Sequence, residues 1–213
     1  MQDKYFNLRN EYTLGSLNIE DLSKDPLIQF KNWFEDALKL KVTEPNAMTI
    51  STIGADCKPS SRTVLLKGID DDGFVFFTNY NSRKATQLME NPNAALTFLW
   101  PEIQRQAHVE GVVEKISAEE SDIYFNSRPK NSRIGAWISP QSSVIESRKF
   151  LEEKFEEFKN TYSDKEIKRP QHWGGFRLIP QRIEFWQGRE NRLHDRILYE
   201  KSGNTWKLCR LAP

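Results

Sequence analysis

The sequence predicts an α+β fold built mainly on antiparallel strands. Stretches with the two-residue period of strands meet at short turns, as where "SRTVLLK", "GIDDDG" and "FVFFT" follow one another over 61–78. Helical stretches fall between groups of strands instead of alternating with them one for one. No G-x-G-x-x-G, no P-loop and no repeat period is present, which argues against a Rossmann or P-loop architecture.

Residues 1–24 are polar, with Tyr5, Arg9 and Tyr12 as the sizeable anchors, and are read as a segment preceding a single domain over 25–213. "DPLIQFKNWFEDALKLK" (25–41) reads as a helix: Asp25 caps it, Pro26 suits the first turn, and Leu27, Phe30, Phe34 and Leu38 recur at helical spacing. From 47 onward the period becomes that of strands: "AMTISTI", a turn over 54–59, then the three segments above. A short helix, "SRKATQLMEN" (82–91), precedes "NAALTFLW" and the alternating stretch 103–116. Two further helical stretches, "AEESDIYFNSR" and 146–162, lead to a last third of strands: "WGGFRLIP", "RIEFWQ", "LHDRILYE" and, after the turn "KSGN", "TWKLCRL".

Thirty-one Lys and Arg against thirty Asp and Glu leave a net charge of +1, which argues against a protein that coats nucleic acid or an anionic membrane. Phosphate chemistry must then come from local clusters. Cys57 and Cys209 have no C-x-x-C spacing and support neither a zinc site nor a disulfide framework. With no basic-then-apolar start and no apolar run near the roughly 20 residues of a membrane span, the expectation is a soluble cytoplasmic protein.

Several clusters carry candidate chemistry. In "NSRK" (81–84) Ser82 suits a helix cap, yet Arg83 and Lys84 put cations where the helix dipole is already positive. Either they are solvated surface charges or an anion sits there, collecting free N–H groups and both side chains. In "RTVLLK" (62–67) Arg62 and Lys67 are five apart and point to opposite faces of a regular strand, so serving one ligand requires a bend near Gly68 or a role for the backbone. In "QRQAHVEG", Ala107, Val109 and Val113 form one face and Gln104, Gln106, His108 and Glu110 the other; Gln106 offers an amide to a heterocycle, and His108 reads as a surface histidine.

"IYFNSRPKNSRIGAW" (123–137) sets Tyr124 and Arg128 four apart on a helix face, with Ser132 continuing the spacing although Pro129 interrupts the helix. The three side chains suit a phosphate cradle, and the alternative is a helix end capped by Arg128. "SPQSS" (139–143) is a loop of small hydrogen-bonding residues. Leu151, Phe155, Phe158 and Tyr162 read as ordinary amphipathic packing. "GRENRLHDR" (188–196) gathers three arginines and a histidine beside Trp186. Together these groups supply more cations than one monophosphate needs, which suggests two phosphorylated ligands.

Read together, "RTVLLK", "FFTNYNSRKA", "RQAHVEG", "YFNSRPKNSRIGAWISPQSS", "IEFWQG", "NRLHDR" and the ending "CRLAP" closely resemble the pyridoxine/pyridoxamine 5′-phosphate oxidases, in order, from "RNEY" at 9–12 to Pro213. The resemblance implies an FMN-binding split β-barrel and a homodimer with two sites at the subunit interface. It implies oxidation of pyridoxamine 5′-phosphate or pyridoxine 5′-phosphate to pyridoxal 5′-phosphate, with a hydride passing from C4′ to flavin N5 and O2 reoxidising the flavin to give H2O2.

Carried over by motif, Arg62, Thr63, Val64, Leu65, Leu66 and Lys67 line the flavin, followed by Phe77 and Thr78, while Arg83 and Lys84 hold its phosphate. Gln106, Gln141, Ser142, Trp186 and Arg196 are further flavin contacts. Lys67, Tyr124, Arg128 and Ser132 form the substrate phosphate cradle, and Arg192 and His194 face the substrate ring as the catalytic pair. Arg9 and Tyr12 belong to a mobile N-terminal segment that covers the occupied site. Phe77 stands where the family often has Tyr, so a side-chain hydroxyl is lost there. Two alternatives compete: another split-barrel FMN oxidoreductase of the flavin-reductase type, which would need no second phosphate cradle, and a non-catalytic protein that binds FMN or pyridoxal phosphate.

Overall fold

The computed structural model describes residues 6–8, 10–163 and 165–213. Among them are five α-helices, α1 (Pro26–Lys39), α2 (Arg83–Glu90), α3 (Ala118–Ser127), α4 (Lys130–Ile138) and α5 (Arg148–Thr161). Nine strands accompany them: β1 (Ala47–Ile53), β2 (Pro59–Leu65), β3 (Gly68–Ile69), β4 (Phe74–Asn79), β5 (Asn93–Trp100), β6 (Arg105–Lys115), β7 (Trp173–Gln187), β8 (Asp195–Ser202) and β9 (Thr205–Leu211). Their hydrogen-bonded order is β2-β1-β5-β6-β7-β4-β3, with β8 on β7 and β9 on β8. The β3–β4, β4–β7, β7–β8 and β8–β9 pairs are antiparallel, in line with the mainly antiparallel fold expected.

Backbone proximity divides the chain into two compact units. The first comprises Met1–Thr49, Ala95–Gly111 and Pro180–Pro213; the second comprises Ile50–Ala94 and Val112–Ile179.

In the first unit α1 starts where the sequence places it. Asp25 Oδ1 accepts from the N–H groups of Leu27 and Ile28, and Pro26, which has no N–H to leave unpaired, opens the first turn. The buried stripe differs from the expected one: it is Leu27, Phe30, Trp33 and Ala37, while Leu38 is 53% exposed. Both stripes fit a 3.6-residue period, and burying two large rings decides between them. Phe30 packs edge-on against Phe98 at 4.7 Å and Trp33 against Phe185 at 4.9 Å, each ring worth roughly 1.5–3 kcal/mol of burial. β8 and β9 extend this unit, with Trp186 facing Arg196 and Gln187 facing Asp195 across the β7–β8 pair. His108 is half-buried between Thr97 Oγ1 (2.9 Å) and Glu110 (3.4 Å), so it is held by partners and not a bare surface histidine.

In the second unit α3 begins with a capping box that the sequence reading passed over. Ser117 Oγ accepts from Glu120 N, and the Glu120 carboxylate accepts from Ser117 N. Its core is Phe125, Ile134, Ala136, Ile167 and Trp173, with Phe77, Tyr124, Phe155, Phe158 and Tyr162 packed against it. Arg177 binds three carboxylates, Asp70, Glu114 and Glu120.

Two expected strands, "WGGFRLIP" and "RIEFWQ", form the single strand β7. Residues 173–178 pair with β4 and 182–187 with β8. Pro180 falls in the gap between, so its missing N–H interrupts neither ladder.

Candidate functional site

The second unit holds a cavity of about 870 Å³, within the range of small-molecule sites. Arg62, Thr63, Val64, Leu65 and Lys67 line it from β2 and the residues after it. Phe77 and Thr78 line it from β4, Lys84 from α2, Tyr124 and Arg128 from the end of α3, Ser132 from α4, and Gln141 and Ser142 from the following loop. Among the described residues no Asp or Glu lines it, although four cationic side chains do. A cavity with that balance is built for an anion.

The question of opposite faces over 62–67 is resolved by a break. β2 ends at Leu65 and β3 starts at Gly68, while the Lys67 N–H bonds Val75 O at 2.8 Å. Leu66 is buried and does not line the cavity, and Arg62 and Lys67 both do. The Arg62 guanidinium is held by neutral acceptors only: Thr52 Oγ1 at 2.6 Å, Ser60 Oγ at 2.5 Å and Gln87 Oε1 at 3.4 Å. Burial, and then the positive charge of Arg83, lower its pKa.

Lys84 is 8% exposed, and burial, with Arg62 adding to it, lowers its pKa to about 8. Its ammonium donates to Thr78 Oγ1 (3.1 Å), Gln141 Oε1 (3.2 Å) and Ser82 Oγ (3.4 Å), all uncharged. Ser82 caps α2 through the Ala85 N–H. Arg83, the adjacent residue, is exposed and lines a second cavity of about 580 Å³ that shares Gln141 and Ser142 with the first. Ser142 has φ 74, a left-handed conformation that costs a non-glycine residue of order 1 kcal/mol and concentrates at ligand sites.

At the other side of the cavity Phe77, Tyr124 and Trp173 stack nearly parallel, with Phe77–Tyr124 centroids 3.9 Å apart and Phe77–Trp173 centroids 5.4 Å apart. Arg128 follows α3 in an extended conformation. Its backbone N–H closes α3 on Phe125 O at 3.2 Å, as the helix-end alternative expected, while its guanidinium is left to lie over the Trp173 ring at 4.5 Å. Among the described residues its buried Nη1 has no hydrogen-bond partner. Burial lowers its pKa while Tyr124 raises it. An orphaned buried guanidinium N–H is costly, and a phosphate oxygen would satisfy it. Trp173, which positions this arginine, went unnoticed in the sequence because a Trp at the start of a strand reads as core.

The remaining candidates lie in the first unit, and Arg9 lies outside the described residues. Tyr12, Trp186 and His194 form an aromatic cluster: Tyr12 meets Trp186 edge-on at 5.6 Å and His194 at 5.5 Å, and Trp186 and His194 are 4.7 Å apart. His194 Nδ1 accepts from the Arg189 N–H at 3.1 Å, which leaves the ring proton on Nε2. Burial and then the Arg192 cation lower the His194 pKa, so the ring is neutral near pH 7. Arg192 is exposed with φ 62, in a turn where Asn191 also has positive φ. Arg196 forms a bidentate pair with Glu184 at 2.7 and 2.9 Å, and Gln106 is half-buried on β6.

Arg189 bonds Asp195 at 2.9 Å. Burial raises the Asp195 pKa, but donors from Leu17 N, Arg210 and Arg189 outweigh it and hold the carboxyl below its ordinary value. Gln104 is not on the polar face of β6: it closes a turn over 101–103 with φ 55, and its side chain accepts from the N–H groups of Thr13 and Leu14. Among the described residues no group of His, Cys, Asp and Glu is arranged to hold a metal, and no helix is long and apolar enough to cross a membrane.

Comparison with known proteins bears on these arrangements. Residues 34–162 match the family model described as pyridoxamine 5′-phosphate oxidase, and residues 173–213 match the pyridoxine 5′-phosphate oxidase C-terminal dimerisation region. The chain is 57% identical over 208 residues to a pyridoxine/pyridoxamine 5′-phosphate oxidase of Nostoc punctiforme, covering 97% of each chain. It is 52% identical over 214 residues to one of Leptospira interrogans, covering 100% of each. The crystal structure of PhzG from Burkholderia lata, in complex with tetrahydrophenazine-1-carboxylic acid, superposes with a TM-score of 0.87 at 30% identity, covering 93% of this chain and 100% of that one. The expected α+β split-barrel fold is thereby established. With both family regions matched in order and relatives this similar along their whole length, the chain belongs to the pyridoxine/pyridoxamine 5′-phosphate oxidase family of oxidoreductases.

Proposed function

We propose that this protein oxidises pyridoxamine 5′-phosphate or pyridoxine 5′-phosphate to pyridoxal 5′-phosphate with FMN as its cofactor. The observation that carries this reading is the 870 Å³ cavity of the second unit, lined by four cations and no carboxylate, with a buried Arg128 N–H left without an acceptor. The sequence relatives named for that substrate pair support it. Lys84 with Thr78, Gln141 and Ser142, joined by Arg62 and Arg83, suits the cofactor phosphate. Lys67, Tyr124, Arg128 and Ser132 suit the substrate phosphate. When bound, FMN would supply at N5 an acceptor for a hydride from the substrate C4′ and, through reoxidation by O2, would release H2O2; with the amine substrate, hydrolysis by water would then also release ammonia.

The chain's own residues do the rest. Anchoring both reactants by their phosphates fixes their relative position and makes the reaction effectively intramolecular. Arg192 carries a planar guanidinium cation, which positions the ring and stabilises negative charge developing on it. His194, protonated on Nε2, donates a hydrogen bond there, and its Nδ1 is already engaged by the Arg189 N–H. Trp186, Arg192, His194 and Arg196 all fall in the stretch matched to a dimerisation region, which supports a homodimer with its two sites at the interface. Two unpaired cysteines suit the reducing cytoplasm.

The test is to purify the protein, identify the bound flavin by its spectrum and mass, and measure O2-dependent formation of pyridoxal 5′-phosphate. Flavin without turnover of either substrate would leave a binding protein. Reduction by a nicotinamide instead of pyridoxamine 5′-phosphate would point to a flavin-reductase activity.

A further inference from the structure

Residues 12–17 are strapped to the first unit at two points. At one end the Gln104 side-chain oxygen accepts from Thr13 N at 2.9 Å and from Leu14 N at 3.1 Å. At the other, Asp195 accepts from Leu17 N at 3.0 Å while Arg210 donates to Leu17 O at 2.9 Å. The nearer latch sits directly after Tyr12, whose ring contacts Trp186 and His194. Gly188 makes room for that ring, because a Cβ there would lie 2.7 Å from Tyr12 Cγ. A cavity of about 500 Å³, lined among others by Asn10, Glu11, Tyr12 and Gln104, opens beside the strap, so packing does not hold this stretch from all sides.

Gln104 is tied to the opposite partner as well. It takes a left-handed conformation with φ 55, and its carbonyl accepts from Gly188 N at 2.8 Å and from Gln187 Nε2 at 3.1 Å. The backbone of Gln104 thus fixes the end of β7, while its side chain fixes the strap. One residue sets the distance between Tyr12 and the start of the loop that carries Arg192 and His194.

We infer that Gln104 is a positioning residue: its side-chain oxygen latches Thr13 and Leu14 and thereby seats Tyr12 against Trp186 and His194. The requirement is for an acceptor, not for an amide, because both partners are N–H donors. A carboxylate at this position keeps the latch and a thioether of similar length loses it.

The experiment measures hydrogen exchange over residues 10–17 in the holoprotein together with steady-state kinetics on pyridoxine 5′-phosphate; only the kinetic arm rests on the proposed oxidase activity. In Gln104→Met, exchange of the Thr13 and Leu14 amides should rise about tenfold, the size expected for losing a hydrogen-bond acceptor. KM should rise about tenfold with kcat changed less than about twofold, since a seating contact acts through binding. Gln104→Glu should keep both near wild type. Gly188→Ala, which displaces Tyr12 from the other side and leaves Gln104 intact, should reproduce the KM effect.

In a Tyr12→Ala background Gln104→Met should add little, because the two act as one unit. Unchanged exchange in Gln104→Met, or a KM effect that adds in full to that of Tyr12→Ala, overturns the inference. A wild-type protein that does not turn over pyridoxine 5′-phosphate sinks the oxidase reading instead, and the exchange measurement still decides the latch.

Discussion

The guanidinium of Arg128 lies 4.5 Å above the ring of Trp173, with Nη1 buried and without an acceptor among the described residues. The aromatic face fixes the plane of the fork, and the free N–H fixes where an anion must arrive. Lysine supplies charge at that position but neither the planar stack nor a paired set of donors. Arg128→Lys should therefore raise KM for pyridoxamine 5′-phosphate about 10- to 100-fold, the loss of one to two charge-assisted hydrogen bonds, while FMN content stays at wild type. Steady-state kinetics alongside the flavin-to-protein absorbance ratio check this.

Lys84 predicts a pH dependence with a definite sign. Its folded pKa of about 8 lies below the ordinary 10.5, so between those values the unfolded chain binds more protons and stability rises with pH. In protein stripped of nucleotide, the Lys84 contribution to stability is full above 10.5 and is lost as pH falls through 8. Flavin binding runs the other way, because the phosphate needs the ammonium: affinity should weaken as pH rises through 8, and Lys84→Met should abolish that inflection. Melting curves and flavin titrations over pH 7 to 10.5 separate the two.

The hydrogen bond from Arg189 N to His194 Nδ1 leaves the ring proton on Nε2. Burial and then Arg192 lower its pKa, so the ring gives up its second proton at lower pH than an ordinary histidine. Turnover should then show no His194-dependent inflection between neutrality and pH 8, and should fall only on the acid side. His194→Gln, which places an amide N–H near Nε2, should retain more activity than His194→Leu, by about tenfold. Equal losses in the two variants would argue for proton abstraction by the ring.

Gly175 stands where β7 passes beneath the aromatic stack. A Cβ there would collide with the Ile116 side chain and lie 2.9 Å from Phe77. Gly175→Ala should destabilise the protein by roughly 1–3 kcal/mol, the usual range for overpacking, and should loosen substrate binding through Phe77 and Tyr124. Chemical denaturation provides the first value and kinetics the second.

Local chemistry made much of this molecule legible. Asp25 and Pro26 announce α1, Ser82 announces α2 with its misplaced cations, and β1, β5 and β9 begin and end with their strand-like stretches. Caps and periodicity act within about a turn or a strand, so they survive without knowledge of distant partners. The choice of Trp33 over Leu38 for burial, by contrast, depends on where Phe98, Trp100 and Phe185 stand. Gln104 reads as a strand residue until its carbonyl and side chain find partners more than eighty positions away.

The sequence by itself determined the fold class, the family and the residue types of the two clusters proposed to bind phosphate, because motif spacing and charge are written locally. Tertiary structure alone decided three things: that Arg62 and Lys67 share one cavity across the break after Leu65, that Trp173 aims Arg128, and that Arg189 and Asp195 orient the turn carrying His194. Each depends on contacts between segments far apart in the chain, whose geometry follows from pairing and packing that no local pattern encodes.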